Sequence, residues 1–422
     1  LAGLKQAMAA NKLETLPKMG AKKVTGIRDG LAMAEKSAGR VGLPIAMEIG
    51  ATVLAQVRSF AGIKRAELAG SLRRGKETIG DIDIICSAEP SAAGKIMAAF
   101  VKLPEVDRIL GQGSTKSSIM TKDGVQVDLR VVPDVNFGAA LLYFTGSKDH
   151  NVKLRGRAQD RGMTLNEWGL YKLAEYEKAE KKSAEAPKLK PVASQSEQDV
   201  YKALDLTFIE PEMREDRGEV ALSEQKKLPK LITLADIRGD LHTHTTASDG
   251  ANTIEEMAAA AKAKGYEFLA ITDHSKAQVI ANGLTAERLL KHVEAIHKLD
   301  GKIKGIKLLV GCEVDILPDG QMDFEDEVLK ELDSVIGSPH FSLKQDQDKA
   351  TARMLRASEN QYVNVIGHPT GRLINSREGL PLDFEKICQA AAASGTALEI
   401  HSGYPRLDLS DIHAAAAVHA GC

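Results

Sequence analysis

After Asp236 the sequence alternates between short apolar runs and stretches of helical periodicity, and this alternation limits the folds that the chain can adopt. Thr253 and Glu256 have the spacing of a capping box, which indicates that a helix begins there. Strands separated by helices pair in parallel, because a parallel connection needs a crossover of about a dozen residues or more. The second half of the chain is therefore predicted to form a parallel α/β barrel or sheet.

Histidines concentrate in this second half, since only His150 among the eleven precedes residue 240. Many stand beside acidic residues where an apolar run ends, in the segments Asp240-Leu241-His242-Thr243-His244, Asp249, Thr272-Asp273-His274-Ser275, Cys312-Glu313-Val314, Ser338-Pro339-His340 and Gly367-His368-Pro369. The carboxyl ends of parallel barrel strands converge at one face, and imidazole with carboxylate suits manganese, zinc or iron. One such histidine alone is more often a surface or core residue, but the set predicts a multinuclear metal site for phosphoester hydrolysis.

Between residues 63 and 135 the pattern changes to strands, and one strand carries two aspartates that are two residues apart. Asp81 and Asp83 are predicted to share one face, while Ile82 and Ile84 point into a core. Adjacent carboxylates repel each other unless a divalent cation such as magnesium lies between them. Asp128 offers a third carboxylate on another apolar strand, and three carboxylates with two metal ions are suited to nucleotidyl transfer.

A glycine-serine turn precedes these aspartates. Ser71 and the backbone amides of the turn can bind phosphate oxygens, and Arg74 can neutralise charge that develops there. The predicted nucleotide-binding residues of this region are Gly70, Ser71, Arg74 and Gly80. A lone Asp-x-Asp is more often an ordinary strand with solvated acids, but the turn before it and the third aspartate after it favour a metal site.

Length and composition set further limits. A chain of 422 residues is expected to hold about two to four domains. Its net charge of -2 argues against a purely basic nucleic-acid binder, although residues 1–75 are distinctly basic and suit phosphate contacts. The four cysteines are scattered, and no apolar run reaches about 18 residues. A reduced, cytoplasmic protein without a membrane segment is therefore expected.

The carboxylate region resembles the nucleotidyltransferase superfamily and, within it, the family X DNA polymerases related to DNA polymerase beta. Tyr143-Phe144-Thr145-Gly146-Ser147 resembles the YFTGS motif of that family, and the segments 165–168 and 208–214 resemble its thumb. The resemblance implies that Asp81, Asp83 and Asp128 bind two magnesium ions in catalysis. It also implies nucleotide or DNA contacts by Tyr143, Phe144, Gly146, Asn151 and Arg155, with Tyr143 and Phe144 against the incoming sugar.

Upstream, Leu16-Pro17-Lys18-Met19-Gly20 resembles the hairpin of a helix-hairpin-helix, whose backbone amides contact DNA phosphates. Lys18 stands where the first glycine is usual, and a lysine there costs strain if the position needs a positive φ. Lys18 and Gly20 are thus predicted DNA-binding residues, either in a distorted hairpin or with Lys18 itself at a phosphate. The alternative is a helix–turn–helix packing unit. The lyase domain of the family is expected to be missing from this sequence.

The histidine segments resemble the PHP (polymerase and histidinol phosphatase) domain, a distorted (β/α)7 barrel with a trinuclear metal site. The ligands that this resemblance implies are His242, His244, Asp249, His274, Glu313, His340 and His368. Asp273 is expected to support them. A final Asp-x-His motif is expected beyond Cys422, so the barrel and its metal site are expected to be incomplete in this sequence. His401 is an extra imidazole without an assigned role.

The two resemblances imply a multidomain α+β and α/β chain with the domain order of bacterial family X polymerases. The predicted domains are a helix-hairpin-helix region at residues 1–45, a nucleotidyltransferase palm at 46–136, an α/β thumb at 137–217, a linker at 218–236 and an incomplete PHP barrel at 237–422. The predicted function is DNA-directed addition of dNTPs at a 3′ end in gap-filling or base-excision repair, by a monomer in the bacterial nucleoid. The barrel is predicted to add a 3′–5′ exonuclease or phosphoesterase with up to three manganese or zinc ions in the full-length protein.

Two alternatives stay open at this point. One is a PHP-type phosphatase fused to a nucleotidyltransferase that is not a polymerase. The other is a DNA-binding protein with an inactive PHP barrel. The segment 143–147 and the hairpin argue against the first alternative. The intact carboxylates argue against a non-catalytic palm, whereas an inactive barrel stays possible.

Overall fold

A computed structural model describes residues 2–10, 12–13, 16, 19–20, 23–25, 27–28, 31, 39–179 and 186–422. The chain divides into two compact units, of which one is Ala34–Lys230 and the other combines Leu1–Met33 with Leu231–Cys422. In the N-terminal segment, Ala2–Ala9 is helical, and the exposed Gly20 accepts backbone hydrogen bonds from Lys23 and Val24. Pro17 and Lys18 of the predicted hairpin lie outside the described residues, so the phosphate contact of Lys18 stays a prediction.

The unit Ala34–Lys230 contains a five-stranded mixed sheet and a separate two-stranded one. The strands are β1 Val41–Gly42, β2 Ile63–Leu68, β3 Thr78–Ile79, β4 Asp81–Ala88, β5 Val106–Gln112, β6 Lys116–Thr121 and β7 Gln126–Val132. The large sheet has the order β2-β4-β7-β6-β5, and β1 pairs with β3. Only β4 and β7 pair in parallel within these sheets, and their register sets Asp83 directly opposite Asp128.

One face of this sheet is buried against two helices, Leu43–Arg58 and Pro90–Phe100. Ile82 and Ile84 are fully buried in that core. Because side chains alternate along a strand, Asp81 and Asp83 lie on the opposite face. The predicted alternation along β4 is therefore confirmed.

The rest of this unit, predicted to be the thumb, consists of short helices around a hairpin. Its helices are Phe137–Thr145, Lys148–Asp160, Leu173–Lys178, Glu197–Ala203 and Glu219–Glu224, and the hairpin strands are β8 Met163–Asn166 and β9 Gly169–Lys172. Three-residue 3-10 helices lie at Asp134–Asn136 and Pro211–Met213. Glu197 is buried and forms salt bridges with Arg73, at 2.7 Å, and with the buried Arg214, at 2.6 Å. These pairs join the short helix Gly70–Arg73, which precedes β4, to the predicted thumb.

The predicted linker, residues 218–236, is partly helical in the structure. Glu219 in the helix Glu219–Glu224 is buried, and its Oε1 lies 2.6 Å from Nδ1 of the buried His150. The division between the two units falls after Lys230. Glu219 is paired with His150 because a buried carboxylate needs a partner. The first part of the predicted linker is therefore folded structure.

The second unit contains a curled sheet of six parallel strands in chain order. These are β10 Gly239–Asp240, β11 Phe268–Ile271, β12 Lys307–Asp315, β13 Ser334–Ser338, β14 Val365–Ile366 and β15 Ala397–Leu398. The helices of this unit after residue 230 are Ile254–Ala263, Ala286–Leu299, Asp326–Leu329, Gln347–Ser358, Phe384–Ser394 and Asp411–Ala420, with a 3-10 helix at Leu234–Asp236. Parallel α/β structure is thus confirmed, whereas the (β/α)7 barrel stays a prediction.

Local signals set the helix boundaries in this unit. Thr253 caps the helix Ile254–Ala263 and forms the predicted capping box with Glu256. Gly395 ends the helix Phe384–Ser394 with a φ of +73°, which glycine adopts without strain. Among the residues that the structure describes, we find no helix with both the length and the apolar character to span a bilayer.

Candidate active sites

The three aspartates of the predicted palm, Asp81, Asp83 and Asp128, lie side by side on the open face of the large sheet. Asp81 is exposed, Asp83 is half-buried and Asp128 is buried. Lys116 on β6 holds its Nζ 2.6 Å from Oδ2 of Asp128, and Nε2 of Gln126 donates to Oδ1 at 2.9 Å. Both oxygens of Asp128 are therefore engaged by groups of the chain itself.

The proximity of the carboxylates changes their acidity. Burial, together with the negative charges of Asp81 and Asp128, raises the pKa of Asp83 to about 6. Burial alone would raise the pKa of Asp128, but hydrogen bonds from Lys116 and Gln126 hold it below its usual value. The face thus carries more negative charge than its own groups neutralise.

The predicted glycine-serine turn forms the short helix Gly70–Arg73 in the structure, and it packs directly against this carboxylate face. Gly70 has a φ of +60°, and a Cβ at that position would overlap the carboxylate of Asp83. The backbone N–H of Ala69 donates to the carbonyl of Asp83 at 2.8 Å. Glycine is required here because any other residue would push the turn away from the aspartate.

A cavity of about 360 Å³ opens between this turn and the predicted thumb. It is lined by Gly70, Ser71, Arg74, Asp81, Asp83, Tyr143, Phe144, Thr145, Gly146, Ser147, Lys148, Asn151 and Arg155. The structure thus brings together most of the predicted nucleotide-binding residues, which come from two distant segments of the chain. Asp128 and Gly80 do not line this cavity.

Several lining side chains are held in place by neighbours. Arg74 donates from Nε to Oε1 of Glu215 at 2.8 Å and from Nη1 to the carbonyl of Thr145 at 2.6 Å. Nδ2 of Asn151 donates to the carbonyl of Tyr143 at 2.7 Å. The cavity wall is therefore ordered by the chain's own contacts.

The donor set of the palm fits a hard cation, because carboxylate oxygens are the ligands that magnesium prefers. The three aspartates are not among the clusters in which three ligand atoms all lie within 4.8 Å of one another. The two oxygens of Asp128 instead contact Lys116 and Gln126. A cation that uses Oδ2 of Asp128 has to displace the Lys116 ammonium.

In the second unit, the histidine cluster surrounds one buried carboxylate. Glu313 on β12 is 1% exposed. Its two oxygens lie 2.9–3.5 Å from ring nitrogens of His242, His244, His274, His340 and His368. The ends of four strands meet at this glutamate, as the sequence pattern predicted.

Three groups of ligand atoms within this cluster are close enough to hold metal ions. They are His242 with His244 and Glu313, His244 with Asp249 and His274, and His274 with Glu313 and His340. His368 lies outside these groups, although its Nε2 is 2.9 Å from Glu313. The buried Nδ1 atoms of His244 and His368 find no hydrogen-bond acceptor or donor in the described chain. Mixed nitrogen and oxygen donors fit manganese, zinc or iron.

Two further carboxylates, which the sequence analysis did not identify, orient the imidazoles. Oε1 of Glu399 lies 2.7 Å from Nδ1 of His242, and its Oε2 accepts from the backbone N–H of His368 at 2.5 Å. Oδ1 of the buried Asp315 lies 3.0 Å from Nδ1 of His340. Such carboxylates fix which ring nitrogen remains available to a metal.

Both carboxylates could have been found from the period of two in a strand. Asp315 follows Glu313 by two residues, and Glu399 precedes His401 by two residues. Asp273 is fully buried and accepts from Thr245, Ser248 and His292. It thus supports the loop that carries Asp249, and its imidazole partner is His292, which lies outside the five around Glu313.

The imidazoles of the cluster differ in pKa, according to whether neighbouring carboxylates outweigh the effect of burial. Burial opposes protonation of His242, yet Glu313 and Glu399 raise the pKa of its ring to about 10. Burial likewise opposes protonation of His340, yet Asp315 and Glu313 raise its pKa to about 9. Burial dominates at His368, whose pKa falls to about 4. Burial would raise the pKa of Glu313, but the surrounding imidazoles hold it well below its usual value.

Both regions match known protein families. Residues 140–215 match the family described as DNA polymerase beta thumb, and residues 240–402 match the PHP domain. Over 412 residues the chain is 37% identical to the DNA polymerase/3′-5′ exonuclease PolX of Bacillus subtilis (strain 168). The matched region covers 97% of this chain and 69% of that protein. It is also 36% identical over 168 residues to a probable phosphatase of Thermoanaerobacter sp. (strain X514), covering 39% of this chain and 64% of that protein.

A solved structure of Leishmania infantum polymerase beta, in a ternary gap complex, has a TM-score of 0.38 and 25% identity, covering 50% of this chain and 80% of that one.

A beta-type polymerase region and a PHP domain in one chain define a DNA polymerase with a second, PHP-type centre. The chain belongs to the family of the DNA polymerase/3′-5′ exonuclease PolX. The predicted family and enzyme class are thereby confirmed, whereas the roles of individual residues stay predictions.

Proposed function

We propose that the protein is a DNA-directed polymerase that adds dNTPs at the 3′ end of a gap and thereby serves DNA repair. The observation that carries this proposal is the cavity in which Asp81 and Asp83 face Tyr143, Asn151 and Arg155. It has carboxylates on one wall and groups suited to a nucleotide on the other. Two magnesium ions held by the aspartates, Asp128 included, would supply activation of a 3′ hydroxyl and neutralisation of the triphosphate.

The chain's own residues bind and orient the substrates in this proposal. Ser71 and the amides after Gly70 bind phosphate oxygens. Arg74 lies beside them, and its pairing with Glu215 holds the guanidinium in one orientation. Tyr143 and Phe144 contact the sugar, and the exposed Arg155 contacts the template strand. Gapped or primed DNA and dNTPs are thus the partners that we propose, for a monomer acting in the bacterial nucleoid.

For the second centre, we propose hydrolysis of phosphoesters at DNA 3′ ends, in the 3′–5′ direction. The observation that supports it is Glu313 enclosed by five imidazoles, with Glu399 and Asp315 behind two of them. Manganese or zinc ions held there, with Asp249 as a further ligand, would supply the Lewis acidity that phosphoester hydrolysis needs. Glu399 and Asp315 keep the Nε2 atoms of His242 and His340 directed at the metal positions.

One experiment tests both proposals. A gapped duplex with a 5′ phosphate, labelled at the primer, is incubated with the protein and dNTPs, first in magnesium and then in manganese. Extension products and shortened primers are scored in the same lane. We expect both, with extension lost in Asp83→Ala and shortening retained. Incorporation that survives Asp83→Ala would rule out the palm assignment.

The likeness of the PHP region to a probable phosphatase favours one narrower alternative for the second centre. The PHP site could release terminal phosphate rather than nucleotides. A primer that ends in a 3′ phosphate distinguishes the two, because phosphate release leaves the primer length unchanged.

A further inference from the structure

His401 is an imidazole beside the PHP cluster that none of the proposed metal groups includes. Its ring centroid lies 6.0 Å from the rings of both His242 and His368, and the side chain is half-buried. It follows Glu399 by two residues in an extended segment, so both side chains face the cluster. A ligand bound to ions at His242 and His368 would therefore lie next to His401.

The hydrogen bonding of His401 is opposite to that of the predicted ligands. Nδ1 of His242 and Nδ1 of His340 each face a carboxylate, so these atoms carry protons and leave Nε2 available to a metal. Nδ1 of His401 instead accepts from the backbone N–H of Gly403 at 3.2 Å. A neutral imidazole whose Nδ1 accepts carries its proton on Nε2. His401 therefore offers an N–H donor, which suits an anion rather than a cation.

The position of this ring is fixed by its surroundings. A Cβ at Gly403 would lie 2.8 Å from Cε1 of His401, so the glycine lets the loop close over the ring. The backbones of His401 and Asp408 exchange hydrogen bonds, and Asp408 also accepts from Thr370 and Gly371. The loop that carries His401 is thus tied to the loop that follows His368.

Arg406, in the same loop, adds positive charge without a carboxylate to balance it. Its half-buried guanidinium makes no hydrogen bond or ion pair with the part of the chain that the structure describes. The charge of Arg406 acts electrostatically on His368 and on Arg377, so the guanidinium lies near the histidine cluster and near a second positive charge. An anion bound beside Arg406 would relieve the repulsion between the positive charges of Arg406 and Arg377.

We propose that the segment 401–406 is a phosphate-binding subsite of the PHP centre. His401 donates from Nε2 to a non-bridging oxygen of a phosphoester at a DNA 3′ end, and Arg406 neutralises part of its charge. The inference rests on the proposed phosphoesterase function and adds residues that recognise substrate without binding metal.

The test measures metal content and phosphate binding separately. The 422-residue chain and its variants His401→Ala, His401→Gln, Gly403→Ala and Arg406→Met are loaded with manganese and dialysed, and bound metal is counted by mass spectrometry. Affinity for inorganic phosphate is then measured by calorimetry. We expect unchanged metal content in all four variants. Phosphate affinity falls roughly tenfold in His401→Ala, because a hydrogen bond to a charged group is lost.

The other variants show whether phosphate binding needs the N–H donor of residue 401 in its place, or only a side chain at that position. His401→Gln keeps an N–H donor and retains most of the affinity. Gly403→Ala keeps the imidazole but displaces it, so phosphate binding weakens as in His401→Ala. Arg406→Met weakens it as well. Loss of a metal equivalent in His401→Ala would instead make His401 a metal ligand, and unchanged phosphate affinity would remove it from the site. Absence of phosphate binding by the parent chain would also overturn the inference.

Hydrolysis of single-stranded oligonucleotides with a 3′ hydroxyl or a 3′ phosphate completes the test. A higher KM for one of them in His401→Ala identifies whether a diester or a monoester occupies the subsite. If the parent chain hydrolyses neither, yet its phosphate affinity depends on His401, the proposed function fails, and only the assignment of segment 401–406 as a phosphate-binding subsite stands. If hydrolysis occurs but phosphate affinity is the same in every variant, the inference alone fails.

Discussion

The palm and the PHP cluster differ in how the chain balances negative charge. In the palm, Asp81, Asp83 and Asp128 share one face with the Lys116 ammonium as the direct ion-pair partner. In the PHP cluster, Glu313 is surrounded by five imidazoles, and Glu399 pairs with one of them. The palm site is thus rich in unbalanced oxygen ligands, whereas the PHP site balances its carboxylates with titratable nitrogens.

This difference has two consequences for metal binding. Hard oxygen ligands favour magnesium in the palm, and mixed nitrogen and oxygen ligands favour manganese or zinc in the PHP cluster. A cation entering the palm mainly relieves repulsion and displaces one lysine. A cation entering the PHP cluster has to replace protons on the imidazoles. The two sites are therefore expected to respond differently to mutation and to pH.

The largest expected effect is in the palm. Asp128→Ala removes a buried carboxylate that lies opposite Asp83, and nucleotide addition should fall by at least about 10³-fold, because a metal position is lost. Single-nucleotide incorporation on gapped DNA measures this loss, and a gel-shift assay should show that DNA binding persists. Asp123→Ala, an exposed acid in the turn before β7, is the matched control and should incorporate normally.

The next largest effect is expected in the PHP cluster, where one substitution should reduce 3′ trimming without affecting nucleotide addition in the palm. Glu313→Gln removes the negative charge that faces five imidazoles. The affinity for manganese and the rate of 3′ trimming should therefore each decrease by about 10²-fold or more. Nucleotide addition should be unchanged. Parallel loss of both activities would mean that the two sites are not independent. Glu331→Gln, an exposed acid of the same unit, serves as the control.

The pH dependence of metal binding should also separate the sites. The pKa values of His242 and His340 are raised to about 10 and 9, so both rings are protonated at pH 7. Manganese binding there should release about two protons, and its affinity should rise with pH up to about 10, where His242 loses its proton. Asp83, with a pKa of about 6, is mostly ionised at pH 7. Magnesium binding in the palm should then release well under one proton.

Calorimetry in buffers of different ionisation enthalpy counts these protons. The measurement is made in Glu313→Gln for the palm and in Asp128→Ala for the PHP cluster, so that each site is observed alone. Equal proton release at pH 7 in the two variants would contradict the claim that the PHP imidazoles are protonated while the palm carboxylates are mostly ionised.

The smallest effect concerns the lysine in the palm. Lys116→Met removes a cation that competes for Oδ2 of Asp128, so the magnesium concentration for half-maximal incorporation should fall roughly two- to fivefold, the range of a partly exposed ion pair. Lys122→Met, an exposed lysine next to the same strand, should leave it unchanged. A higher magnesium requirement in Lys116→Met would show that Lys116 assists the site.

Local sequence patterns determined much of this protein. The period of two predicted that Asp81 and Asp83 share a face, and Thr253 with Glu256 predicted a helix start. The ends of apolar runs predicted which histidines would meet, because the carboxyl ends of parallel strands share one edge. These predictions need only the geometry of a strand or a helix end and the rule that parallel strands end at one edge.

The tertiary structure decided the contacts that depend on register and loop closure. Lys116 reaches Asp128 only because β6 and β7 pair in a particular register. Glu399 meets His242 across 157 residues of sequence, and Gly403 sets the proton on His401 through a turn. A sequence specifies these contacts only through the packing of the whole sheet, since pairing partners and loop paths leave no periodic signal. The aspartates and histidines could be read from the chain, and the period of two offered Asp315 and Glu399 as candidates, whereas the partner of each balancing or orienting group could not be read from it.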